Sequence, residues 1–462
     1  MINFKDKKVL VMGLGLHGGG VAVSKWLAKK GARVTITDIK KKGLLKESVN
    51  KLRGLPVTYV LGRHREKDFK NTDFVIQNPG VPRESKFLKI AEKNGAEIYN
   101  EASLFFEFIE PEQIIGITGT RGKSTVTAIT HEILKKKYPK TLFGGNIRTN
   151  AMFDIIDKVK DNYVVLELSS WQLEGLEKIK KSPHLAVFTN IMEDHLNRYK
   201  NLDDYIEAKE NIFRYQYPKN FSVFSRYNPV TRRLAKTTPS KRYWVDFKYF
   251  PEENGSFVED DWIYFRQNGK KQKIIKVDDV RLLGKHNLCN VLCSVTTGMI
   301  LGAGVKNVKS VVRKFNGLSD RMEFIKEVGG IKYYNDTTAT TPDATIAALR
   351  SIADNKNIIL IAGGADKKLD YKKFAKEVKR HCKKVVLFEG EATRKIKREL
   401  RKVEYKNFSK EFSSMNDLMK EAIINSKEGD VILLSPGAAS FGIFVNEFDR
   451  GEQFKKVITK IK

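Results

Sequence analysis

The run Gly116-Ile117-Thr118-Gly119-Thr120-Arg121-Gly122-Lys123-Ser124-Thr125 constrains the fold more than any other part of this 462-residue chain. It continues the apolar stretch Gln113-Ile114-Ile115 and precedes a helical pattern from Val126 to Lys135. A strand that ends in a glycine-rich turn and feeds a helix gathers backbone N–H groups and the positive helix end at one point, where phosphate can sit. In that setting Lys123 reaches the terminal phosphates of a nucleotide and the Ser124 hydroxyl holds Mg²⁺. The spacing departs from strict G-x-x-x-x-G-K-[ST], because Ile117 stands where the first glycine belongs and Gly119 follows it. Such a unit predicts an α/β fold built on a parallel sheet.

A second strand–glycine–helix unit opens the chain. Lys8 to Met12 reads as a strand, Gly13-Leu14-Gly15-Leu16-His17-Gly18 matches G-x-G-x-x-G, and Val21 to Lys30 reads as a helix. Asp38 ends the next strand, Arg33 to Asp38, where an acid commonly meets a ribose or base. Taken alone this unit fits a dinucleotide oxidoreductase, or a tight glycine turn with no ligand.

The strand–helix rhythm restarts twice more, so the chain divides into three α/β domains at 1–108, 109–317 and 318–462. In the middle part, Tyr163 to Leu168 and Leu185 to Thr189 read as further strands. Residues from about 218 to 283 alternate polarity and read as antiparallel strands on that domain's edge. Leu288 to Ala303 reads as a helix, and the last domain carries strands at Ile331 to Tyr334, Ile358 to Ala362, Val385 to Phe388 and Val431 to Leu434.

Composition narrows the class. No apolar run approaches the ~20 residues of a membrane helix and no signal-peptide core precedes the first strand, which predicts a cytoplasmic protein with no membrane partner. Three cysteines exclude a disulfide framework, and Cys289 and Cys293 share one helix face as small core residues. The net charge of +30 is spread along the chain, and runs such as Lys40-Lys41-Lys42 and Lys135-Lys136-Lys137 fall at element ends. With no helix-turn-helix, zinc-finger or RNA-binding signature, specific nucleic-acid binding is not expected, and polyanionic substrates account for part of the charge.

The phosphate loop is followed in order by Gly144-Gly145-Asn146-Ile147, Leu166-Glu167-Leu168-Ser169-Ser170-Trp171-Gln172-Leu173-Glu174 and Asn190-Ile191-Met192-Glu193-Asp194-His195-Leu196-Asn197-Arg198-Tyr199. Gly284-Lys285-His286-Asn287, Asn335-Asp336, Gly363-Gly364, Leu434-Ser435-Pro436-Gly437-Ala438-Ala439-Ser440 and Arg450-Gly451-Glu452-Gln453-Phe454 come after. This series resembles the Mur ligase family over nearly the whole chain. The resemblance implies a monomer with a Rossmann-like UDP-binding domain, a P-loop-type central ATPase domain and a Rossmann-like C-terminal domain. It further implies ATP with Mg²⁺, as a pair of ions, and the ligation of D-glutamate to UDP-N-acetylmuramoyl-L-alanine through an acyl phosphate, in peptidoglycan precursor synthesis.

Residue by residue, the resemblance implies that Gly15, Leu16 and His17 cradle the UDP diphosphate, that Asp38 faces the uracil and that Asn146 helps hold the sugar. Gly119, Thr120, Arg121, Gly122, Lys123, Ser124 and Thr125 hold ATP, with Asn287 and Asn290 serving the nucleotide and Arg321 and Asp336 reaching it from the C-terminal domain. Glu167 and His195 become metal ligands. Lys209, in the amphipathic stretch Tyr205 to Phe213, is the lysine that becomes carbamylated and then bridges metals. Lys123, Glu167, His195 and Lys209 form the catalytic set.

The third-domain motif of the family commonly reads Asp-Ser-Lys-Ala-Thr-Asn, whereas here it is Asp336-Thr337-Thr338-Ala339-Thr340-Thr341. Thr338 removes a cation from the amino-acid pocket, while Thr340, Lys367 and Ser440 persist, and Glu447 stands where an aromatic is usual. An acidic amino acid is still expected. A family member adding L-glutamate or another amino acid remains open, as does an inactive ATP-binding partner subunit.

Overall fold

The computed structural model describes residues 2–461 except His17, Arg148, Thr149, residues 193–197, Glu252, Leu283, Asp354 and Lys368. Among the described residues the strands form three sheets. The first is β1 (Lys8–Met12), β2 (Arg33–Asp38), β3 (Val57–Leu61), β4 (Phe74–Gln77) and β5 (Glu97–Asn100), in the order β3-β2-β1-β4-β5. All its pairs are parallel. β1 is buried from Val9 to Met12 because helices cover both faces, which is why its sequence is apolar without alternation.

The second sheet takes β6 (Ile114–Thr118), β7 (Leu142–Gly145), β8 (Val164–Glu167), β9 (Leu185–Phe188), β10 (Phe221–Ser225), β11 (Lys241–Asp246), β12 (Gly255–Glu259), β13 (Trp262–Gln267) and β14 (Lys270–Lys276). Its order is β14-β13-β12-β11-β10-β9-β6-β8-β7, which sets β6 and the phosphate loop between β8 and β9. The expectation of antiparallel strands over 218–283 is corrected in part. β10, β11 and β12 run parallel to β9, and only the β12–β13 and β13–β14 pairs are antiparallel. The helix Pro229–Leu234 carries the chain back between β10 and β11, and such a returning connection permits parallel pairing.

The third sheet holds β15 (Glu323–Val328), β16 (Ile331–Asn335), β17 (Ile358–Ala362), β18 (Cys382–Phe388), β19 (Phe408–Phe412) and β20 (Val431–Leu434), ordered β15-β16-β20-β17-β18-β19. It is parallel apart from β15.

By packing, the chain forms two compact units, Met1–Val280 with Cys289–Arg313, and Arg281–Leu288 with Lys314–Lys462. Within the first unit the two sheets share one core. Trp26, on the helix Gly19–Lys29, packs edge-on against Phe153 at 5.0 Å, and Phe105 meets the same ring at 6.3 Å. In the second unit separate apolar clusters cover the two faces of the sheet. No helix among the described residues is long and apolar enough to cross a membrane.

Candidate functional site

β6 delivers the loop Gly119–Gly122 to the first turn of the helix Lys123–Lys137, which begins earlier than its apolar pattern suggests. Gly119 has φ 143° and Gly122 φ 85°, and a side chain at either would collide, with the Thr189 hydroxyl or the Asn290 amide. The turn is clamped to the segment after β9. The Thr120 N–H donates to the Asn190 carbonyl at 2.9 Å and the Arg121 N–H to Asn190 Oδ1 at 2.9 Å. The Thr189 hydroxyl donates to the Arg121 carbonyl at 2.7 Å, and the Met192 N–H to Thr120 Oγ1 at 3.0 Å. Glycine here serves close approach, so the first helical turn, which has no side-chain cap and carries Ser124 and Thr125, can face an anion. Lys123 Nζ donates to the Gly119 and Thr120 carbonyls at 3.0 and 3.1 Å, holding its charge over the loop.

Other predicted residues converge on this loop. Glu167 ends β8, only 3% exposed, flanked by Ile117 of β6 and Gly145 of β7. Its Oε1 accepts the Asn146 side-chain amide at 3.0 Å, and among the described residues its buried Oε2 has no hydrogen-bond partner. Lys209, on the helix Leu202–Glu210, is 1% exposed rather than a surface lysine. Its Nζ donates to Thr118 Oγ1 at 3.2 Å and the Gly119 carbonyl at 3.1 Å, and lies 4.9 Å from the Tyr205 ring centre. Asn290 is buried on the helix Lys285–Ile300 against Gly122. Neighbouring Cys293 is buried, and Cys289, partly buried one turn earlier on the same helix face, meets Ser225.

A buried carboxylate oxygen without a partner suits a cation, since burial otherwise penalises it heavily. The unpartnered Glu167 oxygen, at the end of β8 beside the loop, therefore fits a cation such as magnesium. Among the described residues no cluster of three or more His, Cys, Asp or Glu could hold a metal. His195 and His17 lie outside the described residues.

The N-terminal loop shows φ 94°, 67° and 94° at Gly13, Gly15 and Gly18 before the helix Gly19–Lys29. Asp38 does not present a free carboxylate. It is 3% exposed, and its Oδ2 accepts the N–H groups of Leu14 and Gly15 at 3.0 and 3.1 Å while Oδ1 accepts Lys40 N–H at 2.8 Å. Asp38 thus fixes the loop, the Gly15 amide is engaged by it, and Leu16 is exposed at the tip.

In the second unit Asp336 follows β16 and is buried. It accepts the Ser435 hydroxyl at 2.7 Å and the Met322 N–H at 3.2 Å. Burial pushes its carboxyl up to about 7 against these bonds and against the charge of Arg321, which is itself exposed. Lys367 Nζ donates to Thr340 Oγ1 at 2.9 Å. Desolvation holds its amine below the usual lysine range, with Glu447 opposing that shift. Thr338 donates its hydroxyl to the Asp320 carbonyl at 2.8 Å, and Ser440 is buried after β20. Asn287, half-buried, belongs to the stretch Arg281–Leu288 of this unit.

Sequence reasoning assigned no role to Arg450, which is fully buried. It donates to Thr337 Oγ1 at 3.0 Å, the Thr337 carbonyl at 2.8 Å and the Ala438 carbonyl at 3.4 Å, tying the Asp336–Thr340 loop to the Pro436–Ser440 loop. The Arg450-Gly451 pair in the last helix was the available signal. A side chain at Gly451 would collide with Asp320 and Thr337, so the helix Glu447–Thr459 packs tightly there.

Residues 117–298 match the Mur ligase middle domain, 320–437 the Mur ligase glutamate ligase domain, and 7–100 the N-terminal domain of MurD-like Mur ligases. A UDP-N-acetylmuramoylalanine–D-glutamate ligase of Roseiflexus sp. (strain RS-1) is 40% identical over 98% of this chain and 98% of its own. One from Borreliella afzelii (strain PKo) is 37% identical with the same coverage of both chains. Among solved structures, the UDP-N-acetylmuramate–alanine ligase of Thermotoga maritima is similar with a TM-score of 0.62 at 21% identity, over 99% of this chain and all of that one. At that identity the likeness speaks to the fold.

Proposed function

Since the chain belongs to the Mur ligase family of ATP-dependent amide-bond-forming ligases, we propose that it adds D-glutamate to UDP-N-acetylmuramoyl-L-alanine in the cytoplasm. The strongest support is the likeness, over almost the full length of both chains, to relatives that carry that name.

The reaction needs an activated acyl group, which ATP supplies by phosphorylating the acceptor carboxylate. Two anions must then approach each other, and fixed cations offset their repulsion. Lys123 holds the terminal phosphates from the loop that Asn190 and Thr189 clamp, while Gly119 to Thr125 supply the amide cradle. Asn290, packed on Gly122, orients the nucleotide. Magnesium, as two ions, supplies Lewis-acid neutralisation of the phosphate charge, with Ser124, Glu167, His195 and carbamylated Lys209 as its holders. Asn146 orients Glu167 through its amide and contacts the sugar. Gly15, Leu16 and His17 hold the diphosphate on a loop that Asp38 fixes. Thr340, Lys367 and Ser440 receive the amino acid, whose side-chain carboxylate pairs with the Lys367 amine.

Thr338 is the observation that favours a second reading, in which L-glutamate is used. Phosphate release with UDP-N-acetylmuramoyl-L-alanine against a panel of D- and L-amino acids tests the assignment. Release that depends on D-glutamate supports it. Turnover with L-glutamate alone removes the D-glutamate assignment, and no turnover with any amino acid removes the ligase reading.

A further inference from the structure

Glu101 begins the helix Glu101–Phe108, is 6% exposed, and has no part in the chemistry described above. Its Oε1 accepts the N–H of Met152 at 3.2 Å, the first residue of the helix Met152–Val159. The Gln172 side chain bonds it from the helix Ser170–Glu174. Its Oε2 lies against Gly19, the first residue of the helix behind the N-terminal glycine loop, where a Cβ would stand 3.0 Å from that oxygen. The carboxyl is therefore lodged at the N-terminal ends of two helices, and one of these is the helix whose positive end is assigned to the UDP diphosphate.

We propose that Glu101 is a positioning residue for the UDP-sugar, and that binding of the diphosphate is coupled to protonation of its carboxyl. The inference rests on the assignment of the N-terminal loop to UDP. A helix N-terminus carries about half a positive charge, so an ionised Glu101 and a diphosphate compete for the same end at short range. The surrounding groups do little to hold Glu101 charged. Asp154, on the helix Met152–Val159, is a like charge and favours the neutral acid. The first turn of the helix Gly19–Lys29 carries no charged residue, and the helix Ser170–Glu174 presents neutral Gln172. Glu174 on that helix is engaged by Tyr199 and Arg198, and Glu107, on the helix of Glu101 itself, by Lys181. Burial pushes the Glu101 carboxyl up to about 7, with the Met152 and Gln172 bonds pulling the other way. When protonated, Glu101 still accepts from Met152 and leaves the Gly19 end to the ligand. Met152 begins the helix that follows the strand of Gly145, so the carboxyl that lies against Gly19 also accepts from the start of that helix.

Calorimetric titration of the full chain with UDP-N-acetylmuramoyl-L-alanine, between about pH 6 and pH 8 and in buffers of different ionisation enthalpy, tests this. The diphosphate of that ligand is a diester whose charge is constant over the range. With a free carboxyl near 7 that stays protonated in the complex, the dissociation constant rises about tenfold across the range, and binding at pH 8 takes up about one proton. Glu101→Gln keeps an acceptor for Met152 and loses the titration, so its affinity is flat with pH. Equal slopes in the two proteins overturn the proposal, as does wild-type binding at pH 8 without proton uptake. The second measurement needs no variant and decides the matter if Glu101→Gln folds poorly. Absence of UDP-sugar binding at every pH overturns the UDP assignment beneath it, an outcome distinct from binding without a slope.

Discussion

Replacing Asp38 by alanine separates a residue that fixes a loop from one that merely contacts a ligand. Its carboxylate accepts three backbone N–H groups, those of Leu14, Gly15 and Lys40, at 3.0, 3.1 and 2.8 Å. Leu14 is fully buried, so its amide is left without an acceptor in Asp38→Ala, whereas the more open Gly15 and Lys40 amides can turn to water. An unsatisfied buried donor costs about 1–3 kcal/mol and each lost charged hydrogen bond to a solvated donor somewhat less, so the ordered loop loses about 2–4 kcal/mol. At about 1.4 kcal/mol per decade, the UDP-sugar dissociation constant rises about thirtyfold to several hundredfold if the loop must be ordered to bind. ATP-analogue affinity should stay unchanged, because the ATP loop is clamped by Asn190 and Thr189 instead. Asp38→Asn keeps one acceptor oxygen and should fall between the two. Titration calorimetry with each ligand reads both effects. If Asp38→Ala binds the UDP-sugar as tightly as wild type, or loses both ligands equally, the role given to Asp38 is refuted.

Three further substitutions probe the ATP side. Lys123→Ala should abolish ligation while UDP-sugar affinity changes by less than about twofold, because Lys123 belongs to the loop assigned to ATP and takes no part in the N-terminal loop assigned to the UDP diphosphate; equal loss of both ligands in calorimetry would contradict this. Glu167→Gln should raise the magnesium concentration needed for half-maximal activity by about tenfold or more, since it replaces a metal-facing carboxylate. An unchanged midpoint would remove Glu167 from the metal site. Lys209→Ala should be inactive and partly rescued by short-chain carboxylic acids, which stand in for a carbamate, whereas rescue by amines would assign Lys209 a cationic role.

The strands that sequence placed best, β1, β17 and β20, are short apolar runs with both faces covered, where burial leaves no alternation to misread. Helix starts were placed late at Val126 and Leu288, because the first turns, Lys123-Ser124-Thr125 and Lys285-His286-Asn287, are polar. Periodicity sees such residues as loop. The parallel pairing of β10 to β12 was illegible for a related reason: alternating polarity records one covered face of a strand and says nothing of its direction. At the site, the glycine loops were legible from spacing alone. The burial of Lys209 and Arg450 was not, since an amphipathic pattern reads a long basic side chain as surface. Asp38 was found by its place at a strand end, but an acid that meets a ligand and one that meets loop amides occupy the same place in the sequence.

Isotope transfer from the acceptor tests the central claim most directly. UDP-N-acetylmuramoyl-L-alanine labelled with oxygen-18 in its terminal carboxylate is incubated with the protein, ATP, magnesium and D-glutamate, and the released phosphate is analysed by mass spectrometry. Activation through an acyl phosphate moves one labelled oxygen from each acceptor into each phosphate, and only when D-glutamate is present to complete turnover. Unlabelled phosphate released in step with amide formation would contradict the account.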